Sequence, residues 1–326
     1  MKVTFKTATD FRKSLEARLQ SIATKSGEDL QRLRRKVAFD RFLARLFSSS
    51  EKPEFYVKGG YAMELRIAAA RATKDIDLTY IRRVNDSEQI LNHVILNDLQ
   101  AFAEKDLHDH FIYQVGAAQI DLDNAPYGGA RFPVSSLIDD KLFVRFQLDV
   151  GADFLLDHVE TIQGNDWLEF CKIEPPIISM ISIEQQLAEK LHAYTLPRQR
   201  TNSRVKDLVD MMLLLKMRTP QNESMIQMIK KVFEKRDTHL LPQKYLDQDQ
   251  FQVIFWSGER GAEDFWRNSN VLMAINPNPE ELRNRNYQEY TTYHVDAVDG
   301  CSQKGGGLRL LKADVIQELR QNLVAT

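Results

Sequence analysis

Two aspartates separated by one residue, Asp75 and Asp77, have a spacing that suggests chemistry. In a β-strand, residues two apart project from the same face, so both carboxylates would point one way while Ile76 and Leu78 enter the core. Neighbouring carboxylates repel each other unless a cation neutralises them. Mg²⁺ favours such oxygen ligands and completes its shell with water and substrate phosphates. The pair therefore suggests a metal site of the kind that serves phosphoryl-type transfer.

A glycine pair, Gly59 and Gly60, lies between a β-type run at 55–57 and a stretch of helical composition at 61–70. Glycine adopts backbone angles closed to other residues, and the N-terminus of a helix attracts anions. An ordinary tight turn would also use two glycines. A strand, a glycine turn, a helix and an acidic strand in this order are much rarer by chance. Together they favour a phosphate-binding turn beside a metal-binding strand, and so a nucleotidyltransferase.

A third carboxylate would complete such a metal site, and two segments offer one. Asp149 lies in the strand-like run 145–150, where it alternates with apolar residues and so faces away from the core. Asp121 and Asp123 form a competing pair on another strand-like segment. Spacing alone does not choose between the two segments.

A second cluster of charged residues lies in helical sequence. Lys190 lies beside the apolar stripe of a helix predicted over 183–194, where a partly buried lysine could reach a phosphate. Asp207 and Asp210, three residues apart, share one face of a helix predicted over 203–217. An interhelical ion pair between Lys190 and one of these aspartates is the structural alternative. The residue types leave both interpretations open.

The elements around these residues predict an α+β protein, in which a nucleotidyltransferase-like mixed sheet with flanking helices precedes a helical C-terminal domain. Apolar periodicity predicts two helices before residue 50, broken near Ser26 and Gly27. We predict three segments: an N-terminal helical extension (1–50), a catalytic α/β domain (51–160), and a mainly helical C-terminal domain completing the cleft (161–326).

Composition limits the classes of partner and compartment. The formal net charge of the 326 residues is −2, so RNA would have to be held by a local basic patch, for which 25–36 and 198–206 are candidates. Two cysteines make neither a disulfide framework nor a zinc site, which favours a reducing cytoplasm. The sequence has no run of about 18 apolar residues and no signal-peptide pattern at its start, so we expect no membrane partner.

Five sequence blocks resemble the AbiEii/AbiGii family of bacterial nucleotidyltransferase toxins, which belong to abortive-infection and type IV toxin–antitoxin systems. Five blocks in the family's order are far more specific than any one of them. The blocks are VKGGYAM (57–63), RATKDIDL (71–78), FQLDVG (146–151), LAEKLHA (187–193) and SRVKDLVD (203–210).

The resemblance assigns roles to these residues. It implies that Asp75 and Asp77 are metal ligands and that Asp149 is the third acidic strand residue. The metal would be Mg²⁺, with Mn²⁺ as an alternative. Lys190 resembles the family's nucleotide-contacting lysine, and Asp207 with Asp210 resembles its acidic helical motif.

Family members are thought to move a nucleotide from an NTP to an acceptor, which in some relatives is the 3′ end of tRNA. The resemblance therefore implies an NTP, an RNA acceptor and a cognate antitoxin as partners. We expect the three strand aspartates and Lys190 to be catalytic. The expected nucleotide-binding residues are Gly59, Gly60, Tyr61, Lys190, Arg204, Asp207 and Asp210.

One residue departs from the family's pattern, because Tyr61 stands where a small hydroxyl residue is common.

Two other functions use the same core. One is a small-molecule nucleotidyltransferase of the kind that modifies antibiotics. The other is a catalytically idle nucleotide-binding protein, although retention of mutually repelling acids argues against an abandoned site.

Overall fold

The chain divides into two compact units, which are residues 1–66 with 72–181 and residues 67–71 with 182–326. The computed structural model describes residues 5–48, 54–67, 72–81, 88–122, 128–153, 158–197, 207, 210–211, 213–214, 217 and 222–241.

Four described α-helices belong to the first unit. They are α1 (Ala8–Ser26), α2 (Leu30–Leu46), α3 (Gly59–Arg66) and α4 (Glu88–Ala103). The Thr7 side chain caps the start of α1, and Gly27 ends the helix in the left-handed conformation with φ of 75°. The Asp29 side chain then caps α2. The predicted break near Ser26 and Gly27 is confirmed.

One mixed sheet contains the strands of the described residues. Its order is β3-β5-β6-β2-β1-β8-β7, with β4 paired to β5. The β1–β8 and β2–β6 pairs are parallel, and the other pairs are antiparallel. The strands are β1 (Phe55–Lys58), β2 (Asp75–Ile81), β3 (Ile112–Val115), β4 (Ile120–Asp121), β5 (Gly129–Ile138), β6 (Lys141–Asp153), β7 (Val159–Gln163) and β8 (Ile177–Ile181).

The hydrophobic core of this unit joins the apolar stripes of the helices to one face of the sheet. Ile76 and Leu78 of β2 and Leu148 and Val150 of β6 are fully buried in it, together with residues of α1, α2 and α4. Because side chains alternate along a strand, burying these residues places the aspartates between them on the opposite face. The predicted α+β class with a mixed sheet is confirmed.

The described helices of the second unit are α5 (Ile183–Thr195) and α6 (Asn222–Arg236), which pack against each other. Asp207 and Asp210 are also in helical conformation. Among the described helices, none combines the length and apolar character that a membrane span requires. Residues 242–326 of the predicted helical C-terminal domain lie outside the described residues.

The division into units differs from the predicted boundaries at residues 50 and 160. Helices α1 and α2 share the core of the sheet, because their buried apolar residues belong to the same hydrophobic cluster as those of the strands. Strands β7 and β8, which lie beyond or across residue 160, extend that sheet as far as Ile181. Periodicity locates a helix or a strand, whereas the surface that each one covers depends on contacts far away in sequence.

Candidate active site

Four charged residues lie in one row across four neighbouring strands of the first unit. Lys58 of β1 is in register with Asp77 of β2, Asp77 with Asp149 of β6, and Asp149 with Arg131 of β5. Strands in a sheet are about 4.8 Å apart, so residues in such a row are close neighbours on one face. The row reads cation, acid, acid, cation. Its two central carboxylates are thus flanked by positive charge on both sides.

Asp75 adds a third carboxylate to this face, because it lies two residues before Asp77 on the same strand. Its partner on β6 is Gln147. The structure therefore brings together the three strand aspartates that were expected to be catalytic. Of the competing pair, Asp121 is placed in β4 and paired with Ala130 on β5, and Asp123 lies outside the described residues.

Arg131 contacts the third carboxylate through both of its oxygens. Its Nε donates to Asp149 Oδ1 at 2.7 Å, and its Nη2 donates to Asp149 Oδ2 at 2.6 Å. These hydrogen bonds raise the pKa of Arg131, and the charges of Asp149, Asp75 and Asp77 act in the same direction, while burial opposes them. The guanidinium therefore lies in the field of all three carboxylates.

Arg131 belongs to this row of charges although no motif predicted a role for it. Strand β5 alternates buried and partly exposed residues, and Arg131 lies between buried Ala130 and Phe132, on the side of the aspartates. That alternation was readable from the sequence. The register that places Arg131 opposite Asp149 was not.

The donor set suits a hard divalent cation, since Asp75 and Asp77 present carboxylate oxygens from one strand face. Within the described residues, however, no group of three or more histidine, cysteine or acidic side chains has the geometry to hold a metal ion. In the observed arrangement, both oxygens of Asp149 accept hydrogen bonds from Arg131. Asp149 therefore presents its oxygens to Arg131, while Asp75 and Asp77 project from β2 on the same face of the sheet.

The glycine turn lies directly against the acidic strand. Gly59 has φ of 61°, and a side chain at this position would overlap the carboxylate of Asp77. The Gly60 backbone N–H donates to Asp77 Oδ2 at 3.2 Å. Helix α3 begins at Gly59, so its N-terminal end faces this carboxylate. Glycine is required here both for the left-handed backbone and for the close approach.

Tyr61 does not reach this face with its side chain. Its ring is buried edge-on against Phe39, with centroids 4.9 Å apart, and its hydroxyl donates to Asp40 Oδ1 at 2.5 Å. The side chain therefore points into the core, and the expected nucleotide contact of Tyr61 stays a prediction. Burial, together with the charge of Asp40, raises the pKa of Tyr61 well above its usual value.

Asp40 joins α2 to two other parts of the first unit. Besides the hydroxyl of Tyr61, it accepts hydrogen bonds from the backbone and side-chain N–H groups of Asn165, at 2.9 and 3.2 Å, and from Trp167 Nε1 at 2.9 Å. Burial raises the pKa of Asp40, while these donors lower it. The network anchors the first turn of α3, immediately after the two glycines.

In the second unit, Lys190 contacts both predicted helical aspartates. Its Nζ lies 3.2 Å from Asp207 Oδ1 and 2.7 Å from Asp210 Oδ2, and all three residues are buried. Burial, then the charge of Asp207, raises the pKa of the nearby Tyr194. The ion pair weighed as the structural alternative is thus present, with two partners instead of one. Arg204 lies outside the described residues.

The basic residues near the start of α2 make ion pairs within the first unit. Arg32 contacts Glu64 at 2.8 Å, and Lys36 contacts Glu28 at 2.6 Å. Arg34 contacts Glu16 at 2.7 Å. Partners of opposite charge reduce the positive potential that a phosphate backbone would meet. This helix face is therefore a weaker candidate for an RNA surface than its composition suggested.

A mixed sheet with paired carboxylates on one strand, a third on the next strand and a glycine turn against them is the framework of a nucleotidyltransferase. A family model described as "Nucleotidyl transferase AbiEii toxin, Type IV TA system" matches residues 41–279, more than half of the chain. The chain belongs to this family of toxin nucleotidyltransferases. The resemblance inferred from the five sequence blocks is confirmed.

Comparison with a solved structure supports the fold. The chain is similar to MenT4, the nucleotidyltransferase toxin Rv2826c from Mycobacterium tuberculosis H37Rv, with a TM-score of 0.50 and 12% sequence identity over 94% of this chain and 99% of that one. A more distant likeness is to JHP933 from Helicobacter pylori, with a TM-score of 0.38 and 14% identity over 75% of this chain and 97% of that one. No curated protein matches the chain.

Proposed function

We propose that this toxin is a Mg²⁺-dependent enzyme that transfers a nucleotide from an NTP to a hydroxyl group of an RNA acceptor, with tRNA as the first candidate. The observation that carries the proposal is the row of Asp77 and Asp149 between two cations, with Asp75 on the same face and the glycine turn against Asp77. Membership of a type IV toxin–antitoxin family supports an NTP substrate and a cognate antitoxin as partner.

The transfer requires an acceptor oxygen to attack the α-phosphorus while the bond to the bridging oxygen of pyrophosphate breaks. Asp75 and Asp77 would hold the divalent cation, for which Mn²⁺ is an alternative to Mg²⁺. When bound, such a cation neutralises the triphosphate and stabilises the leaving pyrophosphate.

Asp149, also expected to be a ligand, would accept the proton of the attacking hydroxyl. The glycine turn would fix Asp77 through the Gly60 N–H and bring backbone close to the triphosphate. The nucleotide-binding roles expected for Lys190, Arg204, Asp207 and Asp210 stay predictions.

The test is transfer of label from each of the four NTPs, in turn, to purified total tRNA in the presence of Mg²⁺. We expect label on RNA with the wild-type protein and none with the Asp75→Asn/Asp77→Asn variant. A matched control is Asp139→Asn/Asp140→Asn, which changes two aspartates of the β5–β6 turn that have positive φ, a conformation that asparagine tolerates. This control variant should transfer normally.

Three outcomes would contradict the proposal. Equal transfer by wild type and by the Asp75→Asn/Asp77→Asn variant would remove the carboxylates from the mechanism. Label on an aminoglycoside and none on RNA would favour the small-molecule transferase. Tight calorimetric binding of an NTP with no transfer to any acceptor would favour the idle nucleotide-binding protein.

A further inference from the structure

Arg131 binds Asp149 in a way that leaves this carboxylate little freedom. Two short N–H···O bonds, of 2.7 and 2.6 Å, join the two planar groups in the fork geometry that is the strongest form of this ion pair. The side chains are only 34% and 17% exposed. Water therefore screens the pair less than it screens an ion pair on an open surface.

The backbone fixes the position of Arg131 as firmly as the ion pair fixes its side chain. Strands β5 and β6 pair without interruption from Gly129 with Gly151 to Ser136 with Val144, and Arg131 is directly opposite Asp149 in that ladder. A side chain at Gly129 would overlap the carbonyl of Val150, so the two strands also approach closely next to this row. Because the backbone of Arg131 is fixed in the ladder, only a change of its side-chain rotamer would break the contact with Asp149.

A divalent cation bridging Asp77 and Asp149 would need the same oxygens that Arg131 holds. We propose that Arg131 is a positioning residue that keeps Asp149 out of the resting metal shell, so that Asp75 and Asp77 bind the cation and Asp149 is left to face the acceptor. This inference rests on the proposed function for the identity of the site. It adds that Arg131 determines which carboxylates bind the cation and which one faces the acceptor.

Metal binding measured without nucleotide tests the inference, because it does not depend on transfer activity. Free Mn²⁺ can be followed by electron paramagnetic resonance during titration of wild type, Arg131→Gln, Asp149→Asn and the double variant. We expect Arg131→Gln to bind Mn²⁺ about tenfold more tightly, since a third carboxylate becomes available to the cation. Asp149→Asn alone should stay within about threefold of wild type, because the arginine already occupies that carboxylate.

The double variant separates ligation from a general change of charge. If Arg131 acts by holding Asp149, the tenfold gain disappears when Asp149 is also replaced, because the two residues act as a coupled pair. If Arg131 merely repels cations at long range, the gain is the same in both backgrounds, and the proposal is overturned. Arg145→Gln is the charge control, since Arg145 is an exposed residue on the same face of β6 and lies opposite Ser135. It should leave Mn²⁺ affinity unchanged.

Two further results would also overturn the inference. One is a tenfold loss of Mn²⁺ affinity in Asp149→Asn, which would make Asp149 a ligand at rest. The other is unchanged or weaker Mn²⁺ binding by a folded Arg131→Gln variant; should that variant fail to fold, the Asp149→Asn titration decides alone. A wild-type protein that binds Mn²⁺ as expected but transfers no nucleotide would refute the proposed function and leave this inference standing.

Discussion

Replacing Lys190 by methionine should destabilise the second unit, because the substitution leaves two buried carboxylates without this cation. The ammonium lies 3.2 Å from Asp207 and 2.7 Å from Asp210. At an effective dielectric constant of about 20, each attraction amounts to about 5–6 kcal/mol. Desolvation of the three groups offsets most of this, and removal of one partner from a buried ion pair typically costs about 3–5 kcal/mol. We expect a loss of that size in the free energy of unfolding.

The assay is urea unfolding followed by far-ultraviolet circular dichroism at pH 7.5, with Lys230→Met as the matched control. Lys230 lies on an exposed position of α6, so the same chemical change there should alter the free energy of unfolding by about 0.5 kcal/mol or less. A triple variant, Lys190→Met with Asp207→Asn and Asp210→Asn, should recover most of the lost stability. It removes the cation and both buried charges together.

Two results would refute this reasoning. A Lys190→Met variant within about 1 kcal/mol of wild type would mean that the ion pairs contribute little to stability. A triple variant as unstable as the single one would mean that packing of the lysine stem, not charge, explains the loss. The outcome also decides how activity data are read, since loss of transfer in Lys190→Met indicates a role in catalysis only if the variant is folded under assay conditions.

Three further substitutions test the glycine turn, its anchor and a buried histidine. Gly59→Ala should lower the transfer rate on the order of 100-fold, because the added side chain displaces the carboxylate of Asp77. The control is Gly27→Ala, also at positive φ but with open space around it. It should lower the free energy of unfolding by about 1 kcal/mol and leave the transfer rate unchanged. Tyr61→Phe should lower the free energy of unfolding by about 1.5–3 kcal/mol, because the lost hydroxyl donates to a carboxylate. Tyr113→Phe, whose lost hydroxyl donates to a backbone carbonyl, should lower it by only about 0.5–1.5 kcal/mol. Equal losses in the two variants would contradict this reasoning. Burial, with nearby positive charge, lowers the pKa of His192 to about 4. Between that pH and about 6.5 the unfolded chain therefore binds more protons than the folded chain, so stability falls as the pH is lowered. The free energy of unfolding of wild type should fall by about 2 kcal/mol more than that of His192→Gln between pH 7 and pH 5. Parallel profiles of unfolding free energy against pH, measured with urea, would refute the lowered pKa.

Features that depend on neighbours along the chain were predictable from the sequence. The strand predicted to carry Asp75 and Asp77 is observed as Asp75–Ile81, and the helix predicted over 183–194 is observed as Ile183–Thr195. Both follow from the period at which apolar residues must recur to reach a core. The two-residue spacing of Asp75 and Asp77 likewise defined a shared face before any fold was known.

The direction of the Tyr61 side chain was not predictable in this way. The residue follows two glycines at the start of a helix, where a contact with phosphate and a contact with the core are both compatible with the local sequence. The direction of the side chain is determined by Asp40, a buried carboxylate on α2. This carboxylate accepts hydrogen bonds from Tyr61, Asn165 and Trp167. Burying that carboxylate without hydrogen bonds would cost far more than moving a tyrosine away from the site. A residue 21 positions earlier thus determines what Tyr61 does.

The row of four charges explains why three carboxylates can share one face of a sheet at all. Asp75, Asp77 and Asp149 would repel one another if that face held no positive charge. Lys58 and Arg131 come from the strands on either side, so the sheet that brings the acids together also supplies cations beside them. Because these cations belong to the fold, the carboxylates do not depend on a metal ion for partial neutralisation. The site is therefore assembled when the strands pair, and the order of the strands determines its chemistry as much as the acids themselves do.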